Sequence, residues 1–280
     1  MFDLREMCKD KVLISAHRGM WMGNIPCNTI MSFNAALAFG ADIIELDISK
    51  SRDGTLYVFH PGTEPHFLHS EKLIADMTDA EVNACRLHNS DGTQTQYSVP
   101  TFDAVLEELK GRCVINIDKF TMFPEDIVKT VRRHGMEQQA LVKTYQDEAS
   151  YKMVEEICPD FAYMTFAIDE DHDSAMLTKR KLHYLGTEAI FRTADSEFNT
   201  PEYHEKMHKM NLLTWANAIV FNYRIIHSAG HTDDVSVMGH PENGWGYLAD
   251  LGYDMIQTDW VYACIDYLSR NGYRNKYGLH

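Results

Sequence analysis

The chain has 280 residues, 45 % hydrophobic and 24 % charged, with 41 acidic residues against 26 basic ones and a formal net charge of −15. That composition suits a globular protein long enough for one large domain or two small ones. The charge argues against nucleic acid or an anionic membrane surface as partner, because both would repel it. A small phosphate ester stays open, since a bound divalent cation reverses the sign of a site locally. Six scattered cysteines, none at C-x-x-C spacing, disfavour a structural zinc site or a disulfide framework and suit a reducing cytoplasm. The charged N-terminal stretch lacks the apolar core of a signal peptide. No run reaches the roughly 18 apolar residues of a membrane span, so the sequence reads as a cytoplasmic protein without stable membrane insertion.

Short apolar runs alternate along the chain with segments of helical period, the pattern of a parallel sheet wrapped by helices. A strand at 12–16 breaks at His17-Arg18-Gly19, and a helix follows over 28–39 with Gly40 as its stop. Residues 41–48 read as the second strand, and 56–60 continue in extended form after the turn at Asp53-Gly54. Residues 61–99 are polar and aperiodic, an insertion outside the repeat. Regularity returns with a helix over 101–109 and strand 113–118, then helix 124–134 and strand 140–143. Helix 148–157 leads to strand 161–166, helix 174–182 to strand 188–191, and helix 202–209 to strand 212–218. After a second insertion at 219–242 come helix 244–251, strand 253–258 and a closing helix over 262–269. Eight strand–helix pairs in a length near the ~250 residues of a closed barrel predict a (β/α)₈ TIM barrel, one domain over 1–280.

Reactive groups of such a barrel sit where strands end. Here those ends carry His17 and Arg18, Glu45 and Asp47, His60, Asn116 and Asp118, and Lys143. Glu45 and Asp47 are two apart, so strand alternation points both to one face, among apolar neighbours. Two buried acids need a cationic partner. It is either a salt bridge from Arg18 or Lys143, or a metal ion, for which Asp118 supplies a third oxygen ligand. A cysteine-free carboxylate set suits magnesium, calcium or manganese. His17 and His60 each follow an apolar strand and precede a break, and two imidazoles can split general-base and general-acid duties. Arg18 matches phosphate through its planar fork of donors. Trp215 is equally a pocket wall or barrel packing. His204 and His208, four apart without the glutamate of H-E-x-x-H, read as a solvated helix face, and Asp259 as a brace of the last turn. Walker, dinucleotide and G-x-S-x-G patterns are absent from the sequence.

Taken together, AHRG at 16–19, PCNT at 26–29, GADIIELDISKSRDG at 40–54 and VFH at 58–60 resemble the opening signature of the glycerophosphodiester phosphodiesterase family. INIDK at 115–119, LVKT at 141–144, LLTWAN at 212–217 and GYDMIQTDW at 252–260 follow in the family's order. The resemblance implies a TIM barrel with a small insertion after the second strand. It also implies hydrolysis of small-molecule glycerophosphodiesters to an alcohol and glycerol 3-phosphate with a divalent cation, Mg²⁺ or Ca²⁺. His17 and His60 resemble the acid–base pair, Arg18 the phosphate-binding arginine, and Glu45 and Asp47 two metal ligands. In some members, and in the similar spider-venom phospholipases D, the substrate's own hydroxyl attacks and gives a cyclic phosphate.

Three positions depart from the pattern. Cys27 stands where the family has glutamate, and Pro61 where aspartate follows the second histidine, with Glu64 as a nearby substitute. Asn116-Ile117-Asp118-Lys119 replaces E-x-K. Asp118 is the favoured third ligand and Asn116 the alternative, with Lys143 and Trp215 assigned to phosphate or substrate. These departures keep a non-catalytic phosphodiester- or sugar-phosphate-binding barrel open, as well as a lyase or isomerase acting on a phosphorylated sugar.

Overall fold

The computed structural model describes residues 2–222 and 225–274. Its strands are β1 (Leu13–Ala16), β2 (Ile43–Lys50), β3 (Leu56–Val58), β4 (Val114–Asp118), β5 (Ala140–Tyr145), β6 (Ala162–Ile168), β7 (Tyr184–Ile190), β8 (Leu213–Asn217), β9 (Val220–Asn222), β10 (Ile225–Ile226) and β11 (Met255–Thr258). Eight of them run parallel in the order β1-β11-β8-β7-β6-β5-β4-β2, and β1 pairs again with β2 through Ser15–Ile43 and Ala16–Ile44. The sheet is therefore closed, a (β/α)₈ barrel as the eight-fold repeat predicts. β3 is an antiparallel extension of β2, and β9 and β10 form a small separate hairpin.

Strand alternation sorts the interior into layers. The lowest inward positions, Leu13, Ile43, Val114, Leu141, Met164, Leu185, Leu213 and Met255, form one apolar cluster that plugs the bottom of the barrel. Two residues further along (three in β7, where Leu185 has no partner on β6), several strands turn polar, with Ser15, Glu45, Asn116, Lys143, Glu188 and Gln257 all buried. A further two residues along lie His17, Asp47, Asp118 and Asp259. A larger cluster on the outer side of the strands packs the helices, with Phe33, Phe102, Ile127, Tyr151, Tyr203 and Leu248 among its members. Helix starts are fixed by side-chain caps: Thr29 begins Ile30–Ala38 with a capping box, and Thr101, Asp147 and Thr200 cap later ones.

The structure corrects three sequence expectations and fills in the two insertions. β7 begins at Tyr184, not at 188, and the predicted helix over 174–182 is helical only over Ser174–Leu177. The stretch 61–99 is an insertion outside the barrel repeat, and it carries short helices at Glu64–Phe67 and Asp79–Ala84 around a core of Tyr57, Phe59, Leu68, Ile74, Met77, Val82, Leu87 and Val99. The second insertion holds β9, β10 and a helix over Asp233–Val237, with residues 223 and 224 outside the described residues. Finally, His204 is not solvated. It is 2 % exposed, faces Thr214 Oγ1 at 3.0 Å and packs edge-on to Tyr253, whereas His208 is half-exposed beside Asp254.

Candidate active site

The loops at the C-terminal ends of the strands surround a cavity of about 340 Å³ whose lining includes His17, Arg18, Glu45, His60, Asp118 and Lys143. Six of the eight residues singled out from the sequence thus meet in one cavity. Asp47 lies directly behind it, 1 % exposed.

The turn after β1 explains the His-Arg-Gly sequence. Arg18 has φ of 57°, which lets its backbone N–H donate to Glu45 Oε2 at 2.8 Å while Nε sits 3.0 Å from Asp47 Oδ2. At Gly19 (φ 83°) a Cβ would come within 2.8 Å of the Ser32 backbone, so the chain has room there only for glycine. The motif at 26–29 serves the same carboxylate. Asn28 Nδ2 donates to Asp47 Oδ2 at 2.9 Å, and Thr29 starts the next helix. Cys27 is buried, and burial pushes its thiol up to about 12, so it stays neutral.

Glu45, Asp47 and Asp118 each bring a carboxylate oxygen within 4.8 Å of the others. Burial, and then the neighbouring Asp47, push Glu45 up to about 7. Burial would raise Asp118 too, but Lys119 and Lys143 outweigh it and hold that carboxyl down to about 2. Beside Glu45 in the sheet register, Asn116 is fully buried with neither side-chain polar atom hydrogen-bonded, and Asp47 Oδ1 also lacks a hydrogen bond. An unpartnered buried Asn116 amide beside clustered carboxylates, with Asp47 Oδ1 met only by the long ion-pair contacts of Lys119 and His60, fits a hard divalent ion with oxygen ligands.

The two histidines are held differently. His17 Nδ1 lies 2.8 Å from Asp259 Oδ1, so this nitrogen carries the proton. Burial lowers the histidine's pKa, but Asp259 and then Glu45 more than reverse this, and the net shift is upward. Asp259 is in turn fixed through its backbone N–H, which donates to Asp233 Oδ2 at 2.9 Å. Asp233 is buried, receives Trp245 Nε1 and Thr258 Oγ1, and is pushed up to about 7 by burial and by Asp259. His60 Nδ1 donates to the Pro61 carbonyl at 2.9 Å, which leaves Nε2 as the acceptor, 3.9 Å from Asp47 Oδ1. Burial lowers the His60 pKa against the opposing pull of Asp47.

Three sequence assignments change. Trp215 does not reach the cavity: it is fully buried in the lower core with Lys143 Nζ 4.4 Å above its ring. Lys143 lines the cavity but is committed to a buried ion pair with Glu188, itself bound by Asn217, whose Oδ1 accepts from Gln257 at 2.8 Å. Glu64 does not replace the missing aspartate, because its two carboxylate oxygens accept the backbone N–H groups of Gly62 and Ile74. The sequence reading missed Lys119, whose ammonium is 2.5 Å from Asp118 Oδ2 and 3.4 Å from Asp47 Oδ1. It also missed His227, which comes from the second insertion to line the cavity. For Asp259 the signal was available: it lies two residues beyond Gln257 on the last strand, on the inward face.

A closed parallel barrel with imidazoles, clustered carboxylates and cationic side chains at its C-terminal mouth defines a class of barrel proteins built to handle charged small molecules there. The particular family follows from comparison. Residues 17–228 match the sequence model of the glycerophosphoryl diester phosphodiesterase family, and the chain belongs to that family. A glycerophosphodiester phosphodiesterase of Caldanaerobacter subterraneus subsp. tengcongensis is 28 % identical over 157 residues, 53 % of this chain and 64 % of that protein. The match thus spans just under two thirds of that relative's length. Among solved structures, a glycerophosphoryl diester phosphodiesterase from Parabacteroides distasonis is similar with a TM-score of 0.75 and 18 % identity, covering 94 % of this chain and 88 % of that one. A phosphodiesterase from Oleispira antarctica, solved with the product sn-glycerol-3-phosphate, has a TM-score of 0.60 and 14 % identity, covering 91 % and 97 %. No helix among the described residues is long and apolar enough to cross a membrane.

Proposed function

We propose that this chain hydrolyses glycerophosphodiesters to an alcohol and glycerol 3-phosphate, with a divalent cation held by Glu45, Asp47 and Asp118. The observation that carries the reading is the three-carboxylate cluster at a cavity that His17 and His60 also line. Family membership and the product-bound relative support the substrate class. The ion, Mg²⁺ or Ca²⁺ from the all-oxygen donor set, would stabilise charge on the non-bridging phosphate oxygens.

The chain's own residues supply the rest. His60, with its pKa lowered and Nε2 unprotonated, accepts the proton of the attacking water. His17, kept protonated by Asp259, donates from Nε2 to the departing alkoxide oxygen. Such acid–base help is worth about 10²–10⁴ in rate. Arg18 and Lys119 place positive charge where the phosphate enters, which orients the diester and offsets its own charge against the acidic cluster.

Activity on glycerophosphocholine, followed by ³¹P NMR, tests the reading. A phosphomonoester should form, stop with EDTA and resume with added Mg²⁺ or Ca²⁺. His17→Ala and His60→Ala should fold normally and each lose at least about 10²-fold in turnover. Full activity in EDTA, or in both variants, would refute it.

A further inference from the structure

Among the described residues, seven non-glycine residues have positive φ, and three of them surround one carboxylate. Arg18, Asn28 and Lys119 all direct side chains at Asp47. For Arg18 and Asn28 the turn belongs to motifs already described. Lys119 is different. It directly follows Asp118 at the end of β4, so continued strand alternation would carry its side chain to the outer, helix-facing side of the sheet. A left-handed backbone with φ of 62° brings it back inside instead. That conformation is disfavoured for any residue with a Cβ and persists only where the surroundings impose it.

The ammonium that arrives this way touches two of the three carboxylates that would hold the ion, Asp118 Oδ2 and Asp47 Oδ1. It is therefore placed where an ion's own charge would have to go. We propose that Lys119 is a tethered counter-cation of this cluster, and that its ammonium competes with the divalent ion for Asp47 and Asp118. The inference rests on the metal reading above and deepens it. In the ion-free protein the ammonium balances carboxylates that would otherwise stand buried and repelling one another, so the barrel mouth keeps its geometry without a metal. The same charge weakens the site for a cation, because two cations cannot share those oxygens without repulsion. Lys119 also has somewhere to move: its side chain is 28 % exposed and already lines the cavity.

The test is binding, not turnover. Mn²⁺ is titrated calorimetrically into the metal-stripped full chain as wild type, Lys119→Met and Lys119→Arg. The Met variant should bind Mn²⁺ at least about tenfold tighter, since one repelling unit charge is gone, and should melt lower than wild type without metal. The Arg variant, which keeps the charge, should stay within about threefold of wild type. If the Met variant does not fold, Lys119→Gln makes the same comparison. Equal or weaker Mn²⁺ binding by a folded, uncharged variant overturns this inference alone. No binding by any of the proteins overturns the metal reading and this inference with it.

Discussion

Asp259→Asn changes one thing: it removes the charge behind His17 while keeping the size of the side chain and an oxygen that can accept from Nδ1. The contact is 2.8 Å long, His17 is nearly buried, and Asp259 is about one quarter exposed, with side-chain exposures of 9 % and 24 %. A hydrogen bond to a charged group contributes about 1.5–3 kcal/mol, and the partial exposure of Asp259 puts this one in the lower half, about 1.5–2 kcal/mol. If that energy favours the protonated imidazole needed for leaving-group donation, kcat falls about 10- to 30-fold. The backbone bond from Asp259 N–H to Asp233 is untouched, so the thermal melt should scarcely move. A loss of mere packing would predict the reverse, a lower melt and little change in kcat. The pH profile adds a second readout. The Asp259 charge raises the His17 pKa. Its removal therefore lowers that pKa and moves the alkaline limb of the kcat profile to lower pH. Steady-state rates on glycerophosphocholine across pH 5–9, with a melt at each end, decide it. An Asn variant with wild-type kcat and an unmoved alkaline limb would refute the positioning role of Asp259.

Three further outcomes follow from particular residues. Gly186 has φ of 146°, and a Cβ there would lie 1.9 Å from the Leu213 carbonyl oxygen, so Gly186→Ala should cost about 3 kcal/mol or more and lower the melting temperature by about 5–10 °C. His204 is buried, and burial depresses its pKa to about 4 from an unfolded value of 6.5. The unfolded chain therefore binds more protons between those values, and stability falls as pH drops from about 6.5 to 4, by on the order of 2–3 kcal/mol from this residue. Urea midpoints for His204→Gln should be flatter than wild type across that window; parallel curves would contradict the assignment. Asn116→Leu replaces two unpartnered buried polar atoms with an apolar side chain of similar volume. It should leave the metal-free protein as stable or about 1 kcal/mol more so, while weakening Mn²⁺ binding in calorimetry if the amide oxygen helps hold the ion. A destabilised variant with unchanged Mn²⁺ affinity would show that Asn116 serves packing alone.

What could be read in the sequence was what depends on period. Glu45 and Asp47, two apart on an apolar strand, had to share a face, and the sheet register sets them beside Asn116 and Asp118 on the neighbouring strand. The helices over Pro124–His134 and Glu148–Ile157 match their predicted bounds, the first because Pro124 at its start, a buried apolar stripe and the left-handed Gly135 at its end agree, the second because Asp147 caps its start and Pro159 follows its end. Where period fails, so does the reading. Gly186 interrupts the apolar run at the start of β7. The register shift opposite Tyr163 and Met164 leaves Leu185 without a partner, a bulge that breaks alternation within the strand. The core beneath 61–99 is built from single apolar residues on short turns, with no repeat to detect. Trp215 shows a different limit: alternation tells that it points inward but not how deep, and depth decides whether it meets substrate or packs under Lys143. Lys119 is the most instructive miss. Its neighbour Asp118 was assigned to the site by alternation, and the same rule applied once more sends Lys119 to the opposite face. Only the left-handed φ reverses that, and nothing in the residue type announces it, since lysine disfavours the conformation. The residues that break the local rule, Arg18, Asn28 and Lys119, are those that grip Asp47, so the strain lies where the chemistry would need a carboxylate held in one orientation.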